Sequence, residues 1–346
     1  MIDELDLSLV DALRVDPRAS WSRLAGPLGV DPATLSRRWA RLSGDGDAWV
    51  TCYPSAERMG IGLTALVLVE CRADSVPSVA ATLAEDPQTP TVEVISGEAD
   101  LMLTVAALEP EQITGYVLDR VGRVPGVLRT RTAFVERTLR EGSRWREGAL
   151  DPAQREAIGG AGATVQAAPA EQALRATLAR RALADRTLMQ ALGADGRMSF
   201  AGLAERTGLP ATTVRRRLGE LRESGRLVLR CDASPRLGGH VVGTMLWLDV
   251  PARELDAATG WLGELPATRM CGLVAGSTAN VAAYVMTHQV GDARRIEAAM
   301  AQRFPAARVV GRQVTLRTVK LVGRLLDPDG RANGYVPIDP WQTGQA

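Results

Sequence analysis

Residues 9–60 of this chain can be laid on residues 188–239 at a constant offset of 179, without a gap. Asp6 then falls on Asp185, Leu13 on Leu192, Asp16 on Asp195, Arg18 on Arg197 and Ser20 on Ser199. Leu24-Ala25 falls on Leu203-Ala204, Gly29 on Gly208, Thr34 on Thr213, Arg37-Arg38 on Arg216-Arg217, Leu42 on Leu221 and Cys52 on Cys231. A shared frame of that length means two copies of one module in one polypeptide, and it limits the fold more than any local pattern does. A surface that one copy uses for association can be met by the other copy of the same chain, as smaller proteins manage by dimerising.

With 346 residues, each half is long enough to bury its own core. The net charge of +1 carries no global signal for nucleic acid, so any basic surface has to be local. Lys320 is the only lysine, and arginine supplies the remaining positive charge; guanidinium suits phosphate and guanine contacts. Cys52, Cys71, Cys231 and Cys271 are scattered and form no C-x-x-C, which fits buried thiols in a reducing cytosol better than a metal site or a disulfide frame. No charged-then-apolar leader opens the chain, and apolar stretches such as Leu63 to Val69 are too short to cross a bilayer. A cytoplasmic protein without a membrane partner is expected.

Each copy begins with three helical patterns. Leu7, Leu9, Val10 and Leu13 form a stripe over Asp6 to Val15, which Asp16-Pro17 ends. Ser20 caps a helix from Trp21 to Leu28 that stops near Gly29. Asp31 followed by Pro32 starts a third helix, with Leu35, Trp39 and Leu42 on one face. Two helices joined by a short glycine-containing turn make a helix-turn-helix, whose last helix reads DNA. In the second copy the frame gives Phe200 to Arg206, the turn Thr207-Gly208-Leu209-Pro210, and a helix over Ala211 to Glu223 with Val214, Leu218 and Leu221 buried.

The exposed positions of the two third helices are the DNA-binding candidates. They are Thr212, Thr213, Arg215, Arg216 and Arg222 in the second copy, and Ala33, Ser36, Arg37 and Arg41 in the first. An Arg-rich helix face is more often just solvated, but the three-helix frame favours double-stranded DNA here. Residues 1–60 hold 7 arginines against 9 acids, whereas residues 183–240 hold 10 against 6, so phosphate attraction favours the second copy as the stronger binder.

After the helices, each copy continues in the order βαββαβ, a ferredoxin-like unit with two helices on one face of an antiparallel sheet. In the first copy the segments are Leu63 to Cys71, Ser75 to Glu85, Thr91 to Ile95, Leu101 to Ala107, Pro110 to Val121 and Val127 to Leu139. In the second they are Val241 to Val250, Ala252 to Leu265, Arg269 to Val274, Val281 to Met286, Asp292 to Phe304 and Val309 to Val322. The turn Ser96 to Asp100 of the first copy is matched by Ala275 to Asn280, one residue longer.

The fold class is therefore α+β, two copies of a helix-turn-helix followed by a βαββαβ domain. Expected domains are residues 1–58 and 181–237 for the helix-turn-helix parts, and 60–140 and 239–324 for the ferredoxin-like parts. A linker over 141–180 separates the halves, with a short helix over Asp151 to Ile158, and 325–346 reads as a flexible, turn-rich tail.

This order resembles the leucine-responsive/asparagine-responsive (Lrp/AsnC) regulator family. The resemblance is carried by Leu5-Asp6, Asp16, Arg18, Leu24-Ala25, Gly29-Val30, Thr34-Leu35, Arg38, Leu42, Gly46, Gly60 and the G-x-x-D turn Gly97 to Asp100. It covers residues 5–140 and 185–322, and a usual member is similar to one half of this chain. Departures are Asp31 and Pro210 where the family prefers a serine cap, and Asn280 where Asp100 stands in the first copy. The resemblance implies that the βαββαβ domains pair through their sheets, within one chain as a pseudo-dimer or in a homo-oligomer. It also implies a small effector, often an amino acid, bound at the paired interface. Gly97, Glu98, Ala99 and Asp100, with Gly276, Ser277, Thr278 and Asn280, are then the effector candidates. A glycine-acid turn is also simply a hairpin.

An enzyme is not expected, and neither a cofactor nor a metal is called for. His240 and His288 are the only histidines, and no Ser-His-Asp order, phosphate loop or metal spacing stands out. One alternative remains: sirohaem decarboxylases resemble paired Lrp/AsnC modules, and Tyr284-Val285-Met286-Thr287-His288 sits where such an enzyme would place a histidine.

Overall fold

Asp3 opens the first helix. Its carboxylate accepts the Asp6 N–H while Asp6 reaches back to the Asp3 N–H, a capping box that fills two otherwise orphaned donors. The computed structural model describes residues 2–55, 62–145, 148–159, 185–238 and 242–340. The helix-turn-helix of the first copy is α1 (Glu4–Val15), α2 (Trp21–Leu28) and α3 (Pro32–Gly44), followed by strand β1 (Ala48–Pro54). The first ferredoxin-like module is β2 (Leu63–Cys71), α4 (Val76–Ala84), β3 (Thr91–Ile95), β4 (Leu101–Ala107), α5 (Pro110–Gly115) and β5 (Val127–Arg140). Then come α6 (Pro152–Gly159), α7 (185–194), α8 (Phe200–Thr207), α9 (Ala211–Glu223) and β6 (Leu227–Ala233). The second module is β7 (Val242–Asp249), α10 (Ala252–Glu264), β8 (Thr268–Ala275), β9 (Val281–Thr287), α11 (Ala293–Arg303) and β10 (Arg308–Leu321), and β11 (Arg324–Leu326) and β12 (Ala332–Tyr335) end the chain.

These elements sort into two units that cut across the order of domains along the chain. One unit takes the described residues of 1–62, 146–238 and 322–341; the other takes those of 63–145 and 239–321.

In the first unit, β1 and β6 pair antiparallel from Ala48↔Ala233 to Pro54↔Leu227, so the connecting strand of each copy lies on that of the other. The pairing also mixes the cores. Cys231 and Leu237 join the cluster around Leu9, Leu13, Leu24, Leu35 and Leu42, while Cys52 joins the cluster around Leu188, Leu192, Leu203 and Leu218. Helix α6 falls inside the expected linker and docks on the first copy. Ile158 is fully buried there, and Gln154 donates to the Pro27 carbonyl. Residues 146–147 and 160–184 lie outside the described residues, as do His240 and Trp341.

The expected flexible tail is, as far as residue 340, a folded strap. β11 pairs with β12, the Ala332 N–H donates to the Gly46 carbonyl at 2.8 Å, and Arg324 donates to the Ala194 carbonyl at 2.8 Å. Leu326, Val336 and Ile338 are buried. Turn-rich composition suggested mobility, but these three apolar side chains and the backbone bonds hold the segment down.

The second unit is a ring. Strands run β10-β3-β4-β2-β5-β8-β9-β7, and β7 pairs back onto β10, so all eight strands are paired on both sides. Each module contributes four neighbouring strands, and the modules meet at β5–β8 and at β10–β3. Alternation along β7 explains the layering. Met245 and Trp247 join the cluster lined by both modules, while Leu246 and Leu248 join the cluster beneath α10 and α11. A single helix was expected over Pro110 to Val121. It is α only to Gly115 and widens to a π turn over Tyr116–Arg120, where Thr89 and Asp86 hold the Tyr116 hydroxyl at 2.5 and 2.8 Å.

Candidate nucleic-acid interface and effector turns

The tight turn in each helix-turn-helix is set by a glycine in the left-handed region, Gly29 at φ 67° and Gly208 at φ 68°, where a side chain would be strained. Ser20 and Ser199 cap the helix before the turn, accepting the N–H groups of Arg23 and Gly202. Asp31 caps α3 through the Thr34 N–H at 2.9 Å, whereas Pro210 gives α9 no side-chain cap.

The third helices bury the residues read as their inner stripes: Leu35, Trp39 and Leu42 on α3, Val214, Leu218 and Leu221 on α9. Outside are Ala33, Ser36 and Arg37 on α3, and Thr212, Arg215, Arg216 and Arg222 on α9; Thr213 is half-buried. Arg41, also taken as a reader, is half-buried and turned inward. The fully buried Asp6 carboxylate draws it in at 2.6 Å and also receives Arg38 at 3.0 Å. A buried charge left without a partner is costly, so this carboxylate takes two of the three guanidiniums on α3.

The second copy spends its charge differently. Arg217 reaches Asp185 at 3.4 Å, the counterpart of the Arg38–Asp6 contact, and Glu220 stands where the first copy has Arg41. Burial pushes the Asp185 carboxyl up, and Arg217 pulls it partly back. Arg216 pairs with Glu220 along the helix, Arg215 lies over the Phe200 ring at 4.4 Å, and Arg222 meets Asp16 at 3.1 Å. Exposed pairs of this kind are worth well under about 1 kcal/mol, so phosphates or base edges can replace them.

Arg18 and Arg197 tie the two copies together. Arg18 donates to the carbonyls of Gly196 and Met198 at 2.6 and 2.9 Å, and Arg197 donates to those of Pro17 and Ala19 at 2.8 and 2.9 Å. Arg197 also stacks on Trp21 at 3.9 Å, and Arg18 lies 5.4 Å from the Phe200 ring centre. Burial lowers both guanidiniums, Arg197 to about 10; the charge of Arg18 adds to this for Arg197, and that of Arg222 for Arg18.

The effector candidates lie on two hairpins of the ring. Gly97 and Gly276 both take positive φ, 102° and 91°. Each turn lies against the last strand of the opposite module, Gly97 beside Arg312 and Gly276 beside Thr132. Glu98, Ser277 and Thr278 are exposed, while Ala99 and Ala279 are buried in the shared core. Asp100 accepts the Cys71 N–H at 2.8 Å, and Asn280 brackets Val250, accepting its N–H at 2.9 Å and donating to its carbonyl at 2.8 Å. Acid and amide thus fasten the two hairpins alike, despite the extra residue in the second turn. One Asp100 oxygen is already engaged, which reduces what it can offer a ligand ammonium.

A cleft of about 410 Å³ opens between β5 and α10, bordered by Arg137, Arg140, Asp256, Gly260, Gly263 and Glu264. Sequence reading missed it because its two walls come from different modules. Of the alternative's residues, Tyr284 is half-buried against the core shared by both modules and bonded to Glu93, and His288 is exposed. Among the described residues, no group of three His, Cys, Asp or Glu side chains could hold a metal, and no helix is long and apolar enough to cross a membrane. All four cysteines are buried and none is in a disulfide, and burial raises the thiols of Cys71 and Cys271 to about 11 and about 12.

Residues 2–43 and 184–222 match the AsnC-type helix-turn-helix domain, and residues 64–145 match the Lrp/AsnC ligand-binding domain. A protein of Pyrococcus abyssi described as an HTH-type transcriptional regulator is 30% identical over 145 residues, which are 41% of this chain and 97% of that one. An HTH-type transcriptional regulator of Pyrococcus horikoshii is 27% identical over 141 residues, 40% of this chain and 93% of its own length. Among solved structures, the siroheme decarboxylase NirDL in complex with an iron-uroporphyrin III analogue aligns with a TM-score of 0.56 at 12% identity, covering 91% of this chain and 92% of that one. At that identity the likeness is one of fold.

Proposed function

We propose, on the premise that the chain belongs to the Lrp/AsnC family, that it is a transcription regulator holding two unlike DNA readers in one polypeptide. The duplicated helix-turn-helix and the duplicated βαββαβ order make it a fused pair of such halves. The observation that carries the reading is the exposure of Arg215, Arg216 and Arg222 on α9 beside Thr212, against Arg37 as the one exposed arginine of α3. Recognition helices contact base edges and phosphates through such side chains. Helix α9 is the main reader and α3 a secondary one. A small effector such as an amino acid acts at the ring, beside Gly97 to Asp100 and Gly276 to Asn280, because each turn there borders the opposite module.

The test is selection of genomic fragments by the purified full chain at fixed salt, followed by footprinting. Enrichment of one sequence motif supports the reading. Uniform retention of fragments, with affinity that only follows salt, counts against it.

The fold likeness along 91% of the chain supports a second reading, a tetrapyrrole decarboxylase. Titration with iron-uroporphyrin separates the two. A saturable change in visible absorbance favours the enzyme, and its absence favours the regulator.

A further inference from the structure

The two junctions of the ring are built on one register but with different chemistry. At β10–β3 the facing pairs are Thr315↔Ile95, Arg317↔Val94, Thr318↔Glu93 and Lys320↔Val92. At β5–β8 the corresponding pairs are Val135↔Val274, Arg137↔Leu273, Thr138↔Gly272 and Arg140↔Cys271. Glu93 of one junction is therefore Gly272 of the other, and Thr315 is Val135.

Glu93 is 7% exposed and belongs to the first module, while most of what satisfies it belongs to the second. The Tyr284 hydroxyl donates to Glu93 Oε1 at 2.8 Å, and Thr315 donates to the same oxygen at 3.2 Å. Tyr284 and Thr315 also contact each other at 2.8 Å. Burial raises the Glu93 carboxyl, and Tyr284, Arg269, Thr315 and Thr318, all of the second module, oppose the shift. Tyr284 gains its reach by crossing Gly243, where a Cβ would stand 2.0 Å from the Tyr284 oxygen. The first module has Thr64 in place of Gly243 and Thr104 in place of Tyr284, so it has neither the gap nor the long phenol.

We propose that the ring is a heterotypic interface, in which the first module selects the second over another copy of itself. Pairing of two first modules would bury Glu93 against Val135, with Thr104 too short to reach it. Pairing of two second modules would leave Tyr284 and Thr315 facing Gly272. The first arrangement leaves each Glu93 only Thr138, at the Thr318 position, and the second leaves Tyr284 and Thr315 only each other, both twice over by symmetry, whereas the pairing seen here joins the carboxylate to both hydroxyls. Specificity thus comes from penalties on the wrong partners as much as from contacts to the right one. The partner this surface fits is the second module, within the same chain or on a second copy of it.

The experiment uses the full chain with a protease site inserted between Gly162 and Ala163. After cleavage the halves are unfolded together, refolded and counted by native mass spectrometry. The mixed pair is expected in about tenfold excess or more over either like pair, the penalty for one stranded buried group. Random re-pairing, two mixed for each like pair, would overturn the proposal. In the triple variant Glu93→Ala, Tyr284→Phe, Thr315→Val, the excess should fall towards the random ratio. Undiminished selectivity there would also overturn it, since the choice would then lie in the helix-turn-helix unit. If the triple variant does not refold, Tyr284→Phe alone should cut the excess several-fold, and an unchanged ratio in that variant counts equally against the idea.

Discussion

Arg18 and Arg197 each fork onto two main-chain carbonyls of the other copy, Arg18 onto Gly196 and Met198, Arg197 onto Pro17 and Ala19. The exchange repeats at the same offset as the sequence repeat, so one side chain type performs one task twice. It makes the spacing of the two readers a property of the fold of their unit. Each guanidinium meets its two carbonyls through two separate nitrogens held in one plane, a geometry that the single nitrogen of a lysine does not reproduce.

Replacing Arg18 by Lys is therefore expected to lower stability by about 1.5–3 kcal/mol, the range for charge-assisted hydrogen bonds. Arg206→Lys, on the exposed face of α8, should stay within about 0.5 kcal/mol. Urea unfolding of both variants decides, and equal midpoints would remove the clasp from the account.

Replacing Arg215 and Arg216 together by Ala should weaken specific DNA binding by about tenfold or more while the melting temperature holds, since both side chains are exposed. Arg37→Ala should cost less. Fluorescence anisotropy against salt adds a second reading: each lost phosphate contact lowers the salt slope by about 0.9, whereas a lost guanine contact leaves it nearly unchanged. Equal losses from the two helices would sink the asymmetry.

The readers differ at Ala33 against Thr212, Ser36 against Arg215 and Arg41 against Glu220, and Arg41 is held by Asp6. A single bound chain should accordingly protect an asymmetric site with one strong, guanine-containing half, because operator symmetry follows the symmetry of the protein. Hydroxyl-radical footprinting at one chain per site tests this, and a palindrome would contradict it.

Lys320, fully buried, donates to the Asp86 carbonyl at 2.8 Å, and burial lowers its ammonium to about 8 from 10.5. A lysine whose folded value is depressed binds fewer protons in the folded state than in the unfolded chain between those limits. Its contribution is therefore a penalty, fully present below pH about 8 and relieved as pH rises towards 10.5, by about 3 kcal/mol at most. Denaturation of the wild type and Lys320→Met from pH 7.5 to 10.5 should show stability rising with pH in the former relative to the latter. Parallel curves would refute it.

Gly46 sits at φ 73° under the strap, where a Cβ would fall 2.3 Å from the Ala332 oxygen. Gly46→Ala should cost at least about 1 kcal/mol from the backbone alone and expose residues 322–340 to protease. A strap that stays protected in this variant would mean that its docking does not run through Gly46.

Much of the architecture was legible in the residues themselves. The ranges read for α2 and α9 are those observed, and β2, β3 and β4 also end where expected, because local periodicity and caps decide such elements. The two glycine turns and the inner faces of α3 and α9 followed from the same local rules. What only the tertiary structure decided lies between residues far apart in the chain. Asp6 captured Arg41, a candidate reader; Cys71 engaged Asp100, a candidate ligand acceptor; and Gly46 received the strap that composition alone suggested was mobile. The closing of eight strands into a ring, and the meeting of Glu93 with Tyr284, are of the same kind. A pattern records which side chains are to be buried or bonded. Which partner satisfies each one is settled by the three-dimensional register of strands and helices that periodicity leaves open.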